Sequence, residues 1–154
     1  MVIRKARIGD VRDIHRIINK FAKKDKMLPR SLNEIYENIR DFLVCIEKGR
    51  ITGVCALHIL WEDLAEVRSI AVLKDYQRKG IGKRLVKECL KEAKSLGINR
   101  VFALTYNPEF FIEMGFREID KNTLPQKIWG DCLKCPKFPE CNEVAVIKDI
   151  RLTP

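Results

Sequence analysis

The sequence predicts an α/β fold, a single domain in which a mixed, mostly antiparallel sheet is flanked by helices. Three observations lead there. Two runs rich in β-branched and apolar residues, "DFLVCIE" and "RITGVCALHIL", flank Lys48-Gly49 and read as an antiparallel hairpin. A third run, "LAEVRSIAV", alternates only in part, as a strand does when it is buried on both faces in the middle of a sheet. It is followed by "LKDYQRKGIG" and a long amphipathic stretch, a strand–turn–helix step.

The other elements follow in chain order. After a short opening strand, "GDVRDIHRIINKFAKKD" places Val11, Ile14, Ile17, Ile18 and Phe21 on one face of a helix, with Asp10 positioned to cap its first turn. His15 falls on the polar face, where solvation is expected. Leu28-Pro29-Arg30 is a rigid turn, and "SLNE" has capping-box spacing, with Leu32, Ile35 and Ile39 as the buried side of a second helix. The helix from about Gly82 to Ser95 turns Leu85, Cys89, Leu90 and Ala93 inward and stops at Gly97. "RVFALTY" is a strand, "PEFFIEM" a short helix starting on Pro108, "GFREI" a strand entry and "EVAVIKDI" the last strand. The order is β-α-α-β-β-β-α-β-α-β-loop-β. One domain spans 1–154, with a loop rich in Pro, Lys and Cys over 120–142 that is long enough to suggest a functional role.

Composition narrows the function. A chain of 154 residues with 46% hydrophobic and 33% charged residues can bury roughly two thirds of its unfolded surface and needs no staple. The longest apolar run, Ile51 to Trp61, falls short of the ~20 residues of a bilayer span. "MVIRKARIGDV" has no signal-peptide core, so a cytoplasmic location with reduced thiols is expected, and no membrane partner. The net charge of +9 favours an anionic partner. Basic residues are spread through the chain with one tight group at Gln77 to Arg84, which suits a small polyanion better than a duplex.

That group, "QRKGIG", sits between a strand and a helix start, where backbone N–H groups and the helix dipole favour an anion. Gly80 and Gly82 let the backbone approach a phosphate, and Arg78, Lys79 and Lys83 add charge. The spacing is neither a Walker loop nor the three-glycine dinucleotide fingerprint.

"EVRSIAV", "QRKGIG", "KRLVKECLKEA" and "FFIEMGF", in that order and spacing, resemble the GNAT superfamily of acetyl-CoA-dependent N-acetyltransferases over most of residues 2–119. The resemblance implies that Gln77, Arg78, Lys79, Gly80, Ile81, Gly82 and Lys83 cradle the CoA pyrophosphate. It also implies that backbone groups of Ile70, Ala71 and Val72 pair with the pantetheine arm. A narrower resemblance, carried by "LPRS", "LTYNPEFFIEMGF" and above all "KIWGDCLKCPKFPECNEVAV", is to the short stand-alone form of the N-acetylglutamate synthases. It implies acetyl transfer to the α-amino group of L-glutamate, the entry to arginine biosynthesis, without the amino-acid-kinase-like domain of longer members. A homodimer is compatible with it. Other expectations are an N-acetyltransferase acting on a protein N-terminus, a lysine or a polyamine, or a basic nucleic-acid-binding domain with a zinc knuckle. The last lacks a fourth ligand and aromatic platforms, so no nucleic-acid partner is expected.

Direct attack of an amine on a thioester requires removal of an ammonium proton, and an amine of pKa about 8 to 10.4 is mostly protonated at neutral pH. Glu66 stands where many GNAT enzymes place a catalytic glutamate and is expected to act as base through water; the alternative is a surface carboxylate at a strand start. The family's usual acid, a tyrosine four residues before the glycine of "GF", is replaced here by Phe111, leaving Tyr106 as nearest substitute; the alternative is an aromatic packed at a strand end. A backbone N–H near Val72 would meet the oxyanion. Arg68 and Arg30 are the candidates to clamp the acceptor's carboxylates, with Ser69 and Lys127 as lesser choices. The alternatives are an internal ion pair for Arg68 and a solvated turn residue for Arg30. His58 reads as a satisfied core histidine, and Cys45, Cys55 and Cys89 as inert packing.

Cys132, Cys135 and Cys141, in C-x₂-C-x₅-C, form the first half of a zinc site, but four protein ligands are usual. A disulfide would leave one odd thiol and is disfavoured in a reducing cytosol. The same element recurs in the synthase domain, and that resemblance implies a lid packed by Trp129, Phe138 and the prolines over the acceptor pocket. No bound metal is expected.

Overall fold

A computed structural model of the protein describes residues 1–24, 26–124 and 143–151. Lys48 and Gly49 take positive φ values of 51° and 77°, the two left-handed residues of a tight turn whose twist matches the strands it joins. The strands on either side are β2 (Phe42–Glu47) and β3 (Arg50–Trp61), antiparallel, with Leu43 opposite Cys55 and Val44 opposite Val54. The remaining elements are β1 (Val2–Lys5), α1 (Val11–Ala22), α2 (Leu32–Glu37), β4 (Leu64–Val72), α3 (Ile81–Ser95), β5 (Arg100–Thr105), α4 (Pro108–Ile112), β6 (Arg117–Ile119) and β7 (Val144–Asp149). The strands are hydrogen-bonded in the order β1-β2-β3-β4-β5-β7-β6. The β1–β2, β2–β3, β5–β7 and β6–β7 ladders are antiparallel, while β4–β5 is parallel. The expected mixed, mostly antiparallel α/β architecture is therefore the observed one.

The chain divides into two compact units, one of Met1–His58 with Val67–Glu92, the other of Ile59–Glu66 with Ala93–Pro154. In the first, the apolar stripe of α1 does what its spacing requires. Val11, Ile14, Ile17 and Ile18 are buried and pack with Ile35 of α2 and with Phe42, Val44, Val54 and Ala56 of the hairpin. Each such side chain contributes about 1.5–3 kcal/mol by leaving water. Helix α2 starts on the expected capping box, the Glu34 amide donating to Ser31 Oγ at 3.1 Å and the Ser31 amide to Glu34 Oε1 at 3.4 Å.

Asp10 differs from expectation. Its carboxylate does not cap α1; it accepts from the Arg7 amide at 2.7 Å and from the Arg4 guanidinium at 2.7 and 3.1 Å, closing a short 3₁₀ turn over Ile8–Asp10 ahead of the helix. The hydrogen bond from Arg4 holds the Asp10 carboxyl below the usual carboxylate range, against the opposing effect of burial. His15 is half-buried rather than solvated.

In the second unit, Leu64, Phe102, Leu124, Ala145 and Ile147 form the core. Gly97 (φ 85°), just past the end of α3, stops the helix, with the Ile98 amide bonded to the Ala93 carbonyl and the Gly97 amide to that of Lys94, the paired bonds of a Schellman stop. Pro108 opens α4 at its first turn, as expected. Lys148 Nζ donates to the Met114 carbonyl at 2.7 Å just beyond that helix. No helix among the described residues is long and apolar enough to cross a membrane.

Candidate active site

The second half of β4 and the turn after it hold the densest group of sequence-expected site residues. Leu64 to Val67 are buried, in keeping with a central strand, but Arg68, Ser69 and Ile70 are half-buried, so the two-sided burial expected of the whole strand applies only to its first part and to Ala71. The break has a backbone cause. Ser69 has φ 56°, a left-handed conformation that serine adopts rarely and that interrupts the strand's regular alternation. Nothing in "VRSIA" announces it, since neither glycine nor asparagine marks the position.

Beyond Val72 the turn is locked on both sides. The Leu73 amide donates to the Thr52 carbonyl at 2.9 Å, and Gln77 Nε2 reaches back to the Val72 carbonyl at 2.8 Å. Gln77 is thus a brace for the turn through its side chain. Arg78 (φ 64°) and Gly80 (φ 81°) are both left-handed and bend the backbone into the start of α3 at Ile81. Among the described residues only Lys48, Ser69 and Arg78 are non-glycine residues with positive φ, so two of the three lie in this segment. Strain of that kind concentrates at ligand-binding turns. The first bond into the helix is donated by the Arg84 amide to the Gly80 carbonyl at 3.1 Å, so the amides before it emerge at the positive end of the helix dipole.

Gln77, Arg78, Lys79 and Gly80 are exposed, Gly82 is half-buried, and Ile81 is buried as the anchor of the helix. Exposed Lys83 adds its charge to that of Arg78 and Lys79. The cradle fits a phosphate group on the structure's own terms: two left-handed residues, a helix N-terminus and three cations. Tyr76 is a residue the sequence reading passed over; Lys79 Nζ lies 5.3 Å from the centre of its ring. An aromatic three residues before a lysine in a turn was the available signal.

Helix α3 is set on the sheet at one small residue. A Cβ on Gly53 would lie 3.1 Å from Ile81 Cγ2, 3.3 Å from Leu85 Cδ1 and 3.5 Å from Val72 Cγ2. Glycine in the middle of β3 therefore lets the helix that opens at the cradle approach the strand closely.

Glu66, on the buried first half of β4 in the second unit, is 8% exposed and pairs in register with Phe102. A surface carboxylate at a strand start is thereby corrected, because both faces of β4 are covered there. Arg30, in the first unit, is 9% exposed and not the solvated turn residue that its place beside Pro29 suggested. Its guanidinium donates to Glu34 at 3.3 Å and its carbonyl accepts from Asn19 Nδ2 at 3.0 Å.

Tyr106, in the second unit, follows the end of β5 and is 38% exposed. Phe111, at the position of the family's usual acid, is 3% exposed and stacks edge-on with Phe110 and Phe116, each with ring centres 5.1 Å away. His58 Nδ1 lies 2.7 Å from Asp41 Oδ2; the histidine is satisfied, as expected, but half-buried rather than in the core. Cys45, Cys55 and Cys89 are buried. A cleft of about 480 Å³ in the second unit, with Arg100, Arg117 and Asp120 on its rim over Leu64 and Ile147, includes none of the expected site residues.

Lys127, Trp129, Phe138 and the three cysteines Cys132, Cys135 and Cys141 lie outside the described residues, as does most of the 120–142 loop. Among the described residues no cluster of three or more His, Cys, Asp or Glu is arranged to hold a metal ion.

Comparison with known proteins gives this geometry a context. The model of the acetyltransferase (GNAT) family matches residues 8–116. An uncharacterized N-acetyltransferase of Chlorobaculum tepidum is 45% identical over 148 residues, 96% of each chain. An amino-acid acetyltransferase of Mycobacterium tuberculosis is 35% identical over 133 residues, 84% of this chain and 76% of that one. Among solved structures, N-acetylglutamate synthase from Neisseria gonorrhoeae complexed with coenzyme A and N-acetyl-glutamate superimposes with a TM-score of 0.89 at 27% identity. The match covers 98% of this chain, which spans 35% of that protein's length.

Proposed function

Since the chain belongs to the GNAT family of acetyltransferases, we propose that it transfers acetyl from acetyl-CoA to the α-amino group of an amino acid, with L-glutamate as the acceptor and N-acetylglutamate, the first intermediate of arginine biosynthesis, as the product. The observation that carries the reading is the content of one strand. β4 holds a buried carboxylate at Glu66, a guanidinium at Arg68 and a left-handed Ser69, and runs through Ile70–Val72 into a cationic cradle. Acceptor chemistry and cofactor chemistry are thus written on consecutive residues. The named activity of the mycobacterial relative supports an amino acid as acceptor, and the ligand of the gonococcal enzyme supports glutamate.

In this reading the amides at the start of α3, with Arg78, Lys79 and Lys83, hold the pyrophosphate of acetyl-CoA. Backbone groups of Ile70, Ala71 and Val72 align its pantetheine arm as a further strand would align. Acetyl-CoA supplies the activated acyl group and a thiolate that leaves readily, with a reference thiol pKa near 8.5. Glu66, through a water molecule, accepts the proton of the acceptor ammonium and so frees the lone pair that attacks. A backbone N–H near Val72 donates to the carbonyl oxygen as negative charge develops on it. Tyr106 is assigned the proton for the departing sulfur, since Phe111 has none to give. Arg68, Arg30, Ser69 and Lys127 bind the acceptor's carboxylates, the two arginines by paired hydrogen bonds.

The test is an acceptor screen. Purified protein with acetyl-CoA and each amino acid in turn, followed by thiol release, is expected to turn over glutamate well ahead of the rest. Turnover of a polyamine or peptide amine with none for glutamate would move the assignment to another acceptor within the same family.

A further inference from the structure

Cys55 on β3 and Cys89 on α3 are 34 residues apart in sequence, yet their Sγ atoms lie 3.6 Å from each other and both residues are 0% exposed. The contact is a consequence of how the helix sits. Ile81, Leu85 and Cys89 are spaced by four and share one face of α3, and Gly53 and Cys55 are spaced by two and share one face of β3. With Ile81 and Leu85 seated over Gly53, the next turn of the helix brings Cys89 to Cys55. The gap exceeds a disulfide bond, about 2.05 Å, so bond formation requires the two sulfurs to move together. Cys45, on the neighbouring strand, is opposite Gly53 in the ladder.

We propose that Cys55 and Cys89 are an oxidative modification site, at which a hydroperoxide converts the two thiols to a disulfide that ties α3 to β3. One sulfur attacks the peroxide oxygen; for hydrogen peroxide the O–O bond breaks, water departs and a sulfenic acid forms. The second sulfur then attacks the first, the S–O bond breaks and a second water departs. The two thiols are oxidised by two electrons, the peroxide is reduced to two waters, and both thiol protons end in those waters. Both sulfurs are enclosed, so the oxidant must be small and must reach them through local opening of the fold. Hydrogen bonding to Cys89, with burial, pushes the Cys55 thiol up, so the contact is kept as a neutral S–H···S pair at neutral pH and oxidation quickens as pH rises. The bond would close a loop containing β4 and the candidate cradle, and so restrict the unfolded chain far more than the folded one.

The experiment treats the purified full-length protein with hydrogen peroxide, alkylates the remaining thiols under denaturing conditions and maps peptides without reduction. The expected result is a peptide pair linked through Cys55 and Cys89, two hydrogens lighter than its reduced components, with a Tm raised by roughly 5–15 °C. Dithiothreitol should reverse the rise, and Cys55→Ala or Cys89→Ala should abolish it. Recovery of both residues as alkylated thiols or as sulfinic acids, after peroxide has oxidised other cysteines of the same sample, overturns the proposal. Mapping on the unsubstituted protein decides the matter even where a variant does not fold.

Discussion

Glu66 is the residue whose placement most changes what the chemistry can be. A carboxylate that is 8% exposed has left most of its hydration behind, a loss that needs a compensating partner or a functional return. If it accepts the ammonium proton, Glu66→Gln keeps the shape and loses the base. We expect kcat to fall about 10²-fold or more while the KM for acetyl-CoA moves little; steady-state kinetics at unchanged kcat would remove Glu66 from the proton path. Arg68 tests the acceptor side. Loss of a charge-assisted bond of about 1.5–3 kcal/mol predicts that Arg68→Ala raises the KM for glutamate roughly 10- to 100-fold, with the KM for acetyl-CoA nearly unchanged. Equal effects on both would make Arg68 a structural residue. Arg30 carries a different lesson. "LPRS" gave it the look of a turn residue in water, but its side chain is buried, with the more exposed carboxylate of Glu34, which also completes the box with Ser31, as one of its partners.

At the scale of elements, β4 and α3 act through the joints between them. The strand is buried as far as Val67, kinks at Ser69 and ends where Leu73 is tied to Thr52; the helix then begins after two left-handed residues. The apolar periodicity of α3 was plain in the sequence, because burial of one face selects every third and fourth residue, and the partial alternation of β4 marked a strand covered on both faces. The kink was not, because a left-handed serine is imposed by neighbours and not by its own preference. The seat of α3 on Gly53 can be tested directly. Gly53→Ala places a Cβ at 3.1 Å from Ile81 Cγ2 and should cost about 1–3 kcal/mol by overpacking, seen as a lower urea midpoint with an unchanged m-value. Gly9→Ala is the control. A Cβ there meets nothing within 4 Å, and the change should stay within about 0.5 kcal/mol.

For the whole molecule, a net charge of +9 is consistent with several anionic partners, and the cradle proposed at Gln77–Lys83 predicts acetyl-CoA among them. A ligand that binds only the folded chain stabilises it by about 2.7 kcal/mol at a hundred times its Kd, which for a chain of this size is a Tm rise of roughly 5–10 °C. Acetyl-CoA should produce that rise in a thermal scan, and an oligonucleotide of similar charge should not. Protection by the oligonucleotide alone would turn the assignment toward a nucleic-acid-binding domain. This measurement is separate from the acceptor screen, since a wrong acceptor leaves the acetyl-CoA shift intact.

The sequence by itself determined the order and kind of the elements, the hairpin at Lys48-Gly49, the capping box at Ser31 and the Q-x-x-G-x-G turn with its cations. All of these are local, set by side-chain periodicity or by the conformational freedom of a few adjacent residues. Tertiary structure alone decided the burial of Glu66 and Arg30, the pull of Arg4 on Asp10, the kink at Ser69, and the meeting of Cys55 with Cys89. Each of these depends on what another part of the chain places beside the residue. Burial and the approach of two sulfurs depend on residues brought together from separate elements, and even the Arg4–Asp10 pair, six residues apart, joins a strand to the turn after it; a pattern read along one strand or helix carries no term for a partner beyond its end.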